Sequence, residues 1–329
     1  IGGGVAVMAL CCDREIDVFT AVGEGISRDA RAAGQSVARQ VAHRLPALTL
    51  SATWVGADSG FVAIQPYTFI MLPDFTGDGA EVVAGVGSVL PPPVQVVGGT
   101  TADDLSFNRA FQYHNGRVYT DAVVGALLIA QIPTAMGVAH GWRPVGKGML
   151  VTRAEGNRLI ELDNVPALQV YQELLGTRPR ALADEPPSRT AIPSPFGIPE
   201  VTGEYRLRCP ISAHEDGSIV CTATIPEGAV VRMMTATVED KVAAVRQAAR
   251  TALAGLGRAE PALAIVFDSG ERPMLPEMEG VRQEIGAIRE EIGPDVPMVG
   301  FCTYGEQAST PGGPVVFHNE SCVVYVIGR

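Results

Sequence analysis

The segment Pro91-Pro92-Pro93-Val94-Gln95-Val96-Val97-Gly98-Gly99-Thr100-Thr101 decides how the first half of the chain folds. Its three prolines end a Gly- and Ala-rich helix predicted at 80–90, because proline cannot continue a helix. Residues 94–97 predict a strand that delivers the chain to a pair of glycines. An apolar run of strand length lies before the helix, at 67–72. The pattern therefore predicts a strand, a helix and a second strand in succession.

Helical periodicity recurs in three other places. Apolar residues return at helical spacing in 28–45, 238–253 and 278–292, which predicts three amphipathic helices. Thr237 and Asp240 have the spacing of a capping pair at the start of the second helix.

Short apolar runs between these helices predict strands. Asn115-Gly116 is the strongest hairpin signal in the chain. The strand pattern fades after Trp142, and the proline-rich stretch 178–199 predicts a long exposed connection. Strands are predicted later in the chain at 205–208, 218–225, 230–234, 263–267, 298–303 and 315–327. Hairpins mixed with helices favour an α/β (α+β) fold, with mixed or antiparallel β-sheets covered by helices.

Composition and charge limit the class of protein. The chain has 329 residues, of which 47% are apolar and 19% charged, so we expect two packed domains, at 1–150 and 162–329. A net charge of −11 without a basic stripe argues against nucleic-acid binding. No apolar run reaches the roughly 18 residues that span a bilayer, so we expect no membrane partner.

The start of the chain and its cysteines indicate the compartment. The chain opens at Ile1 without an initiator Met or a secretory leader, so we expect its natural N-terminus to lie upstream. Its six cysteines form no CxxC pair, which favours buried reduced thiols over a zinc site. Both features predict a cytoplasmic protein.

Four clusters of residues have patterns too specific to be ordinary structural sequence. The first joins a Gly-Gly pair to Asp-Asp and Phe, the second is a His-Gly-Trp turn, the third precedes a helix, and the fourth ends in Phe-His-Asn-Glu. In order they are Gly98-Gly99-Thr100-Thr101-Ala102-Asp103-Asp104-Leu105-Ser106-Phe107, then His140-Gly141-Trp142-Arg143-Pro144, then Val151-Thr152-Arg153-Ala154-Glu155-Gly156-Asn157 leading into Leu162-Asp163-Asn164-Val165-Pro166-Ala167-Leu168, and last Val299-Gly300-Phe301-Cys302-Thr303-Tyr304-Gly305-Glu306 with Phe317-His318-Asn319-Glu320.

These clusters, in this order over nearly the whole chain, resemble the FIST sensory proteins of bacteria and archaea. The resemblance implies an intracellular sensor that binds an amino acid or similar small ligand and is not an enzyme. It implies a separate signalling partner, a histidine kinase or a cyclic-di-GMP enzyme. The cofactor is unknown, but one subgroup of the family binds haem and senses nitric oxide. That subgroup would make His140 the first candidate for the axial ligand and His318 the second.

The chain departs from the family pattern in two places. The family's first segment, with its Gly-Cys-Ser/Thr turn, would lie upstream of Ile1. Gln307 follows Glu306 where an apolar residue is common in the family.

We expect the ligand pocket to lie between the domains, where three of the clusters converge. The predicted ligand-binding residues are Gly98, Gly99, Thr100, Asp103, Asp104, His140, Trp142, Tyr304, Gly305 and Glu306.

Several of these residues also have a purely structural interpretation. The Gly98-Gly99 pair could let backbone N–H groups approach a ligand, or form a tight turn at positive φ. Asp103 and Asp104 could bind an amine or cap a turn. A histidine beside Trp142 is more often packed and hydrogen-bonded than bound to a ligand.

Two further alternatives concern carboxylate and thiol chemistry. Glu306 could be a ligand-binding carboxylate in a solvated pocket, followed by a loop at 307–313, or a salt-bridge partner of Arg272. We favour the pocket. Cys302 with His318 suggests a cysteine-dependent hydrolase or transferase, although no local signature of such an enzyme is present.

Overall fold

The computed structural model describes residues 7–10, 15–45, 52–54, 61–63, 67–92, 94–103, 107–175, 194–200, 203–270, 279–309 and 314–329. The helices among them are α1 (Ala30–Ala42), α2 (Gly79–Gly87), α3 (Ala167–Leu175), α4 (Val238–Gly255) and α5 (Glu279–Ile292). Within these ranges, every helix is too short or too polar to cross a membrane.

The strands are, in chain order, β1 (Ile16–Glu24), β2 (Ala52–Trp54), β3 (Phe61–Ala63), β4 (Tyr67–Pro73), β5 (Val94–Gly99), β6 (Gln112–His114), β7 (Arg117–Tyr119), β8 (Ala122–Ala130), β9 (Thr134–Ala139), β10 (Arg143–Glu155), β11 (Arg158–Leu162), β12 (Val165–Pro166), β13 (Phe196–Pro199), β14 (Tyr205–Arg208), β15 (Pro210–Ala213), β16 (Ile219–Cys221), β17 (Val230–Thr235), β18 (Pro261–Ser269), β19 (Met298–Thr303), β20 (Glu306–Ser309), β21 (Val315–His318) and β22 (Cys322–Gly328). Two of the sheets they form are the two-stranded pairs β2-β3 and β6-β7.

Two larger sheets pack face to face at the centre of the molecule. The first has the strand order β1-β8-β4-β5-β20-β21, and the second has the order β19-β18-β22-β9. Val97 and Leu128 of the first sheet pack against Phe267 and Tyr325 of the second. Each sheet mixes one parallel pair with antiparallel pairs.

Helices cover the outer faces of these two sheets. Val37 of α1 and Val82 of α2 pack on the first sheet, in one core with Phe69. Val245 of α4 and Ile288 of α5 pack on the second sheet. The arrangement is a four-layer stack of helices, sheet, sheet and helices, which buries both faces of each sheet.

A third sheet lies beside the stack. Its strand order is β14-β13-β17-β10-β11-β16-β15, and β12 pairs with β11. Tyr171 of α3 and Phe196 of β13 are fully buried in its core.

The two halves of the chain are interlocked. β20 comes from the second half but pairs with β5, where Gln307 lies opposite Gly98. β9 comes from the first half but is the edge strand of the second sheet, where Gly137 lies opposite Val324. Strand exchange in both directions ties the halves together.

The predicted fold class is confirmed: mixed and antiparallel sheets are covered by helices. The predicted capping box is present, with Thr237 and Asp240 each accepting a hydrogen bond from the other's backbone N–H. The predicted hairpin is β6-β7, and its turn residues Asn115 and Gly116 have φ of 48° and 75°. Both turn residues therefore have the positive φ that a type I′ turn requires.

Three predictions about strands are wrong. Strands do not stop after Trp142, because β10 follows it directly and has 13 residues. The stretch 315–327 is not one strand but β21 and β22, which lie in different sheets. Part of the predicted exposed connection is β13, where Phe196 is fully buried. The rest of that connection up to residue 193 lies outside the described residues.

Candidate functional site

The glycine pair Gly98-Gly99 lies within β5 rather than in a turn. A Cβ atom on Gly98 would lie 1.9 Å from the Met71 carbonyl oxygen, and one on Gly99 would lie 2.3 Å from Thr303 Cγ2. Neither glycine is among the residues with positive φ. The prediction of a tight turn is therefore wrong. Both glycines are required because neighbouring strands approach β5 too closely for a side chain.

Thr100 joins the end of β5 to the loop before β20. Its backbone N–H donates to the Gly305 carbonyl over 2.8 Å, and its carbonyl accepts from the Tyr304 N–H over 3.0 Å. The Gln307 side chain donates from Nε2 to Thr100 Oγ1 over 2.9 Å. The first and fourth sequence clusters, 205 residues apart at Thr100 and Gly305, are thus adjacent in the fold.

Asp103 organises the loop that follows. Its carboxylate accepts hydrogen bonds from the backbone N–H groups of Phe107, Asn108 and Arg109 at 2.8–3.2 Å. Tyr304 donates its hydroxyl to Asp103 Oδ1 over 2.7 Å. These bonds match the capping alternative for Asp103. Asp104 lies outside the described residues.

Three aromatic rings surround this loop. Phe107 stacks on Tyr304 with ring centroids 4.6 Å apart, and Phe75 meets both rings edge-on. All three side chains are half-buried. We call Thr100, Asp103 and these three rings the strand-end cluster, because they follow the carboxyl ends of β4, β5 and β19.

Glu306 is fully buried, and the expectation of a solvated pocket around it is wrong. Its carboxylate accepts from Thr303 Oγ1 at 2.5 Å, from Ser321 N at 3.1 Å and from Ser321 Oγ at 2.6 Å. Glu306 begins β20, so the predicted loop after it is also wrong up to Ser309. Arg272, the predicted salt-bridge partner, lies outside the described residues.

Trp142 and Glu320 connect the second and fourth clusters. Trp142 Nε1 donates to Glu320 Oε2 over 3.1 Å, and Lys241 Nζ lies 3.8 Å from the same oxygen. The Lys241 ammonium also lies 4.8 Å from the centroid of the Trp142 ring. Glu320 is buried and adopts φ of 54°, a backbone conformation uncommon for a residue other than glycine.

His140 and His318 interact electrostatically. His140 Nδ1 accepts a hydrogen bond from the Trp142 backbone N–H over 2.9 Å. Burial lowers the pKa of His318 to about 3, and the positive charges of Arg208 and Arg206 and the electrostatic interaction with His140 act in the same direction. The His318 ring is therefore neutral at physiological pH.

Arg208 is a site residue that the sequence patterns do not predict. Its side chain is 2% exposed. Its guanidinium donates to the carbonyls of Thr224 and Leu207 at 3.0 and 2.7 Å, and to Asn319 Oδ1 at 3.3 Å. Burial lowers the pKa of Arg208 to about 10. The one signal in the sequence is an arginine between Leu207 and Cys209 in a short strand.

The predicted residues, together with those found only in the structure, therefore form two groups. One is the strand-end cluster, with Gly98, Gly99, Thr100, Asp103, Tyr304 and Gly305 in it or next to it. The other contains His140, Trp142, Arg208, His318 and Glu320, and we call it the three-sheet junction because strands of the three large sheets meet there. Glu306 connects the two groups, since its partner Ser321 directly follows Glu320.

Cys302, the thiol of the cysteine-dependent alternative, lies in β19 of the second sheet. Cys302 lies opposite Asp268, Asp268 opposite Cys322, and Cys322 opposite Ala139 across the second sheet. Three strand spacings, about 14 Å, therefore separate Cys302 from the strand that ends beside His140. Burial and the charge of Asp268 raise the pKa of the Cys302 thiol, which disfavours a thiolate nucleophile.

The two histidines do not fit a haem in this arrangement. Nε2 of His140 and Nε2 of His318 are both buried within the protein. A porphyrin would have to displace packed side chains before its iron reached either nitrogen. Among the described residues, no group of three His, Cys, Asp or Glu side chains could hold a metal ion.

Uncharacterized proteins of three organisms are similar to this chain. The uncharacterized protein MJ1623 of Methanocaldococcus jannaschii is 28% identical over 174 residues, which are 50% of this chain and 33% of that protein. The uncharacterized proteins Mb0898c of Mycobacterium bovis and MT0897 of Mycobacterium tuberculosis are each 29% identical over 255 residues, 74% of this chain and 60% of theirs. The chain thus spans between a third and three-fifths of these relatives.

A solved structure, PurLQS from Thermotoga maritima, aligns with 95% of this chain and 73% of its own at 10% identity, and the TM-score is only 0.25. We draw no conclusion from so low a score.

Two family profiles together cover most of the chain. The FIST N domain matches residues 1–165, and the FIST C domain matches residues 167–309. The FIST N match ends within β12 and the FIST C match begins at the first residue of α3. The two clusters that meet at Thr100 and Gly305 come from different domains. Since the profiles and the four sequence clusters agree, this chain belongs to the FIST family.

Proposed function

We propose that this protein is a sensor that binds a small molecule between its FIST N and FIST C domains without consuming it. FIST domains are associated with sensory signal transduction. The binding event, the site and the ligand are our proposal.

The observation that carries the proposal is the pair of backbone hydrogen bonds between Thr100 and the Tyr304-Gly305 segment. These bonds tie the end of a FIST N strand to the start of a FIST C strand. A ligand that contacts the strand-end cluster would touch both domains at once. Ligands of open α/β sheets bind beyond the carboxyl ends of the strands, which is where this cluster lies.

The side chains of the cluster suit recognition better than catalysis. Phe75, Phe107 and Tyr304 offer half-buried aromatic surface, and Asp103 holds Phe107 and Tyr304 in place. Aromatic surface with a few fixed polar groups is typical of small-molecule sites. We propose that the signal passes to a separate partner, a histidine kinase or a cyclic-di-GMP enzyme.

A thermal-shift screen tests this proposal. Amino acids, small carboxylates and amines are added singly, and a ligand that binds the native state raises the melting temperature. The shift should be lost in Tyr304→Leu and kept in Tyr113→Leu, since Tyr113 is 70% exposed on the hairpin. Steady chemical turnover of the stabilising compound would replace the sensor with an enzyme.

A further inference from the structure

Arg208 is a buried cation whose hydrogen-bond acceptors are all neutral. They are the carbonyl oxygens of Thr224, Leu207 and Phe317 and the side-chain oxygen of Asn319. Among the described residues, no carboxylate lies within 4.0 Å of its guanidinium. Buried charges in proteins are normally paired with an opposite charge. Arg208 therefore lacks a direct anionic partner within the described part of the chain.

Asp78 is the carboxylate that acts on Arg208 from farther away. Its negative charge raises the pKa of Arg208, but burial outweighs this effect. Both oxygens of Asp78 have other partners, because Oδ1 accepts from the Ala80 N–H at the start of α2 and Oδ2 accepts from Thr224 Oγ1. Asp78 thus offsets the charge of Arg208 only in part and does not occupy its guanidinium.

Unused hydrogen-bonding capacity surrounds this cation. Arg208 bonds through Nε and Nη1, and its Nη2 donates to none of the described residues. Nε of Arg206 and Nε2 of His318 are buried and have no partner within the same ranges. The positive charges of Arg206 and Arg208 both act on His318 and lower its pKa. Arg208 Nη2 and Arg206 Nε are thus two donors with unused capacity on neighbouring cations, whereas Nε2 of the neutral His318 ring can only accept a hydrogen bond.

Arg206 has a side chain that is partly exposed to solvent and partly buried near Arg208. Its side chain is 33% exposed, and Nη2 lies 2.5 Å from Glu200 Oε1, whose side chain is equally exposed. The Nε atom of the same guanidinium is buried. Arg206 therefore extends from the surface to the interior of the three-sheet junction.

We infer that the three-sheet junction binds the carboxylate group of a small molecule, with Arg208 and Arg206 as its cationic partners. This inference rests on the proposed function, because the junction also joins FIST N residues to FIST C residues. It places the carboxylate of the ligand at the junction rather than at the strand-end cluster, and it names the residues that receive that charge. A guanidinium matches a carboxylate in shape and charge. Arg206 already has Glu200 as a partner, and His318 is neutral, so at most one positive charge remains to be balanced. One charge suits a monoanion better than a dianionic phosphate.

The test compares acetate with chloride at constant ionic strength. Melting temperatures are measured against increasing potassium acetate, with potassium phosphate and methylammonium chloride as further probes. Acetate should stabilise the protein more than chloride does. Arg206→Gln should weaken acetate binding about tenfold, since a hydrogen bond to a charged group is lost. Arg208→Met should abolish it.

A matched control and a second variant keep the test decisive. Arg153→Gln removes an exposed arginine from β10 of the same sheet and should leave acetate binding unchanged. If Arg208→Met does not fold, Arg206→Gln decides the outcome, because its side chain is partly exposed. Equal acetate binding in Arg206→Gln and the unmodified protein would overturn the inference. So would stabilisation by phosphate but not by acetate.

The result also separates this inference from the proposed function. If no compound of the broad screen stabilises the protein, the sensor proposal and this inference fail together. If an uncharged or cationic compound binds and Arg206→Gln has no effect on it, the inference alone fails. Binding of a carboxylate that is weakened by Arg206→Gln supports both.

Discussion

Trp142 Nε1 donates a hydrogen bond to Glu320 Oε2 over 3.1 Å, although 178 positions separate the two residues in the chain. Trp142 follows β9, and Glu320 lies between β21 and β22, so this bond spans the point where the two central sheets approach each other. Lys241 of α4 lies against both side chains. The His140-Gly141-Trp142 motif thus holds the segment between β21 and β22 against the second sheet.

The bond between Trp142 and Glu320 should contribute measurably to stability. Trp142→Phe keeps an aromatic ring but leaves a buried carboxylate oxygen with one donor fewer. We expect a loss of about 1–3 kcal/mol in the free energy of unfolding, measured with urea. Combining Trp142→Phe with Glu320→Gln in a double-mutant cycle isolates the pair from the rest of the network. Additive losses would show that the two side chains do not interact.

Glu306 should behave as a structural residue. Its carboxylate accepts bonds from Thr303 and Ser321, and Glu306→Gln would turn an amide N–H₂ toward these donors. We expect a loss of about 1–3 kcal/mol in unfolding free energy. Glu81→Gln, at an exposed ion pair with Arg31, should change stability by less than about 0.5 kcal/mol. Equal stabilities of the two variants would return Glu306 to the list of solvated ligand-binding groups.

The glycines of β5 offer a test of close strand packing. In Gly98→Ala the new Cβ would meet the backbone oxygen of Met71 at 1.9 Å, which cannot rotate away. We expect a loss of about 1–3 kcal/mol, as for other overpacked sites. Gly286→Ala is the control, because it lies in α5 with nothing within 4 Å of its Cβ. There we expect a gain of about 0.5–1 kcal/mol from the higher helix propensity of alanine. A stable Gly98→Ala protein would mean that β4 and β5 can separate.

The amino-acid sequence identifies the important segments better than it identifies what they do. Gly98-Gly99 stands out in the sequence, but its role depends on Met71 and Thr303, which lie in other strands and leave no trace near the glycines. Residues 143–148 of β10 escape prediction because a strand with mostly exposed side chains lacks the apolar alternation that signals strands. Arg208 escapes for a related reason: its burial results from the packing of β14 against a segment more than 100 residues away.

Periodicity is sufficient where burial is local. α1 and α4 bury one face each, and the capping box of α4 requires only residues three positions apart. The hairpin β6-β7 is likewise encoded by two turn residues. The exchange of strands between the two halves has no such local signal. It depends on which edge strands of the two sheets still lack a neighbouring strand.

His318 should make the stability of the protein depend on pH. Burial lowers its folded-state pKa to about 3. The positive charges of Arg208 and Arg206 and the electrostatic interaction with His140 act in the same direction, while a hydrogen bond to the Ala308 backbone acts in the opposite direction. In the unfolded chain its pKa is the ordinary 6.5. Between these values the unfolded state binds more protons, so stability is fully present above pH 6.5 and is lost as the pH falls toward 3.

Urea unfolding at about pH 7 and about pH 5 measures this effect before most carboxylates titrate. A single histidine with these two pKa values should remove about 2 kcal/mol of stability over that interval. His318→Asn cannot gain a charge and can keep an amide donor near the Ala308 backbone. The stability of this variant should therefore fall by about 2 kcal/mol less between about pH 7 and about pH 5 than the stability of the unmodified protein does. His214→Asn, in an exposed turn, should retain the full pH dependence of the unmodified protein. If His318→Asn and His214→Asn respond to pH alike, His318 is not the group that titrates.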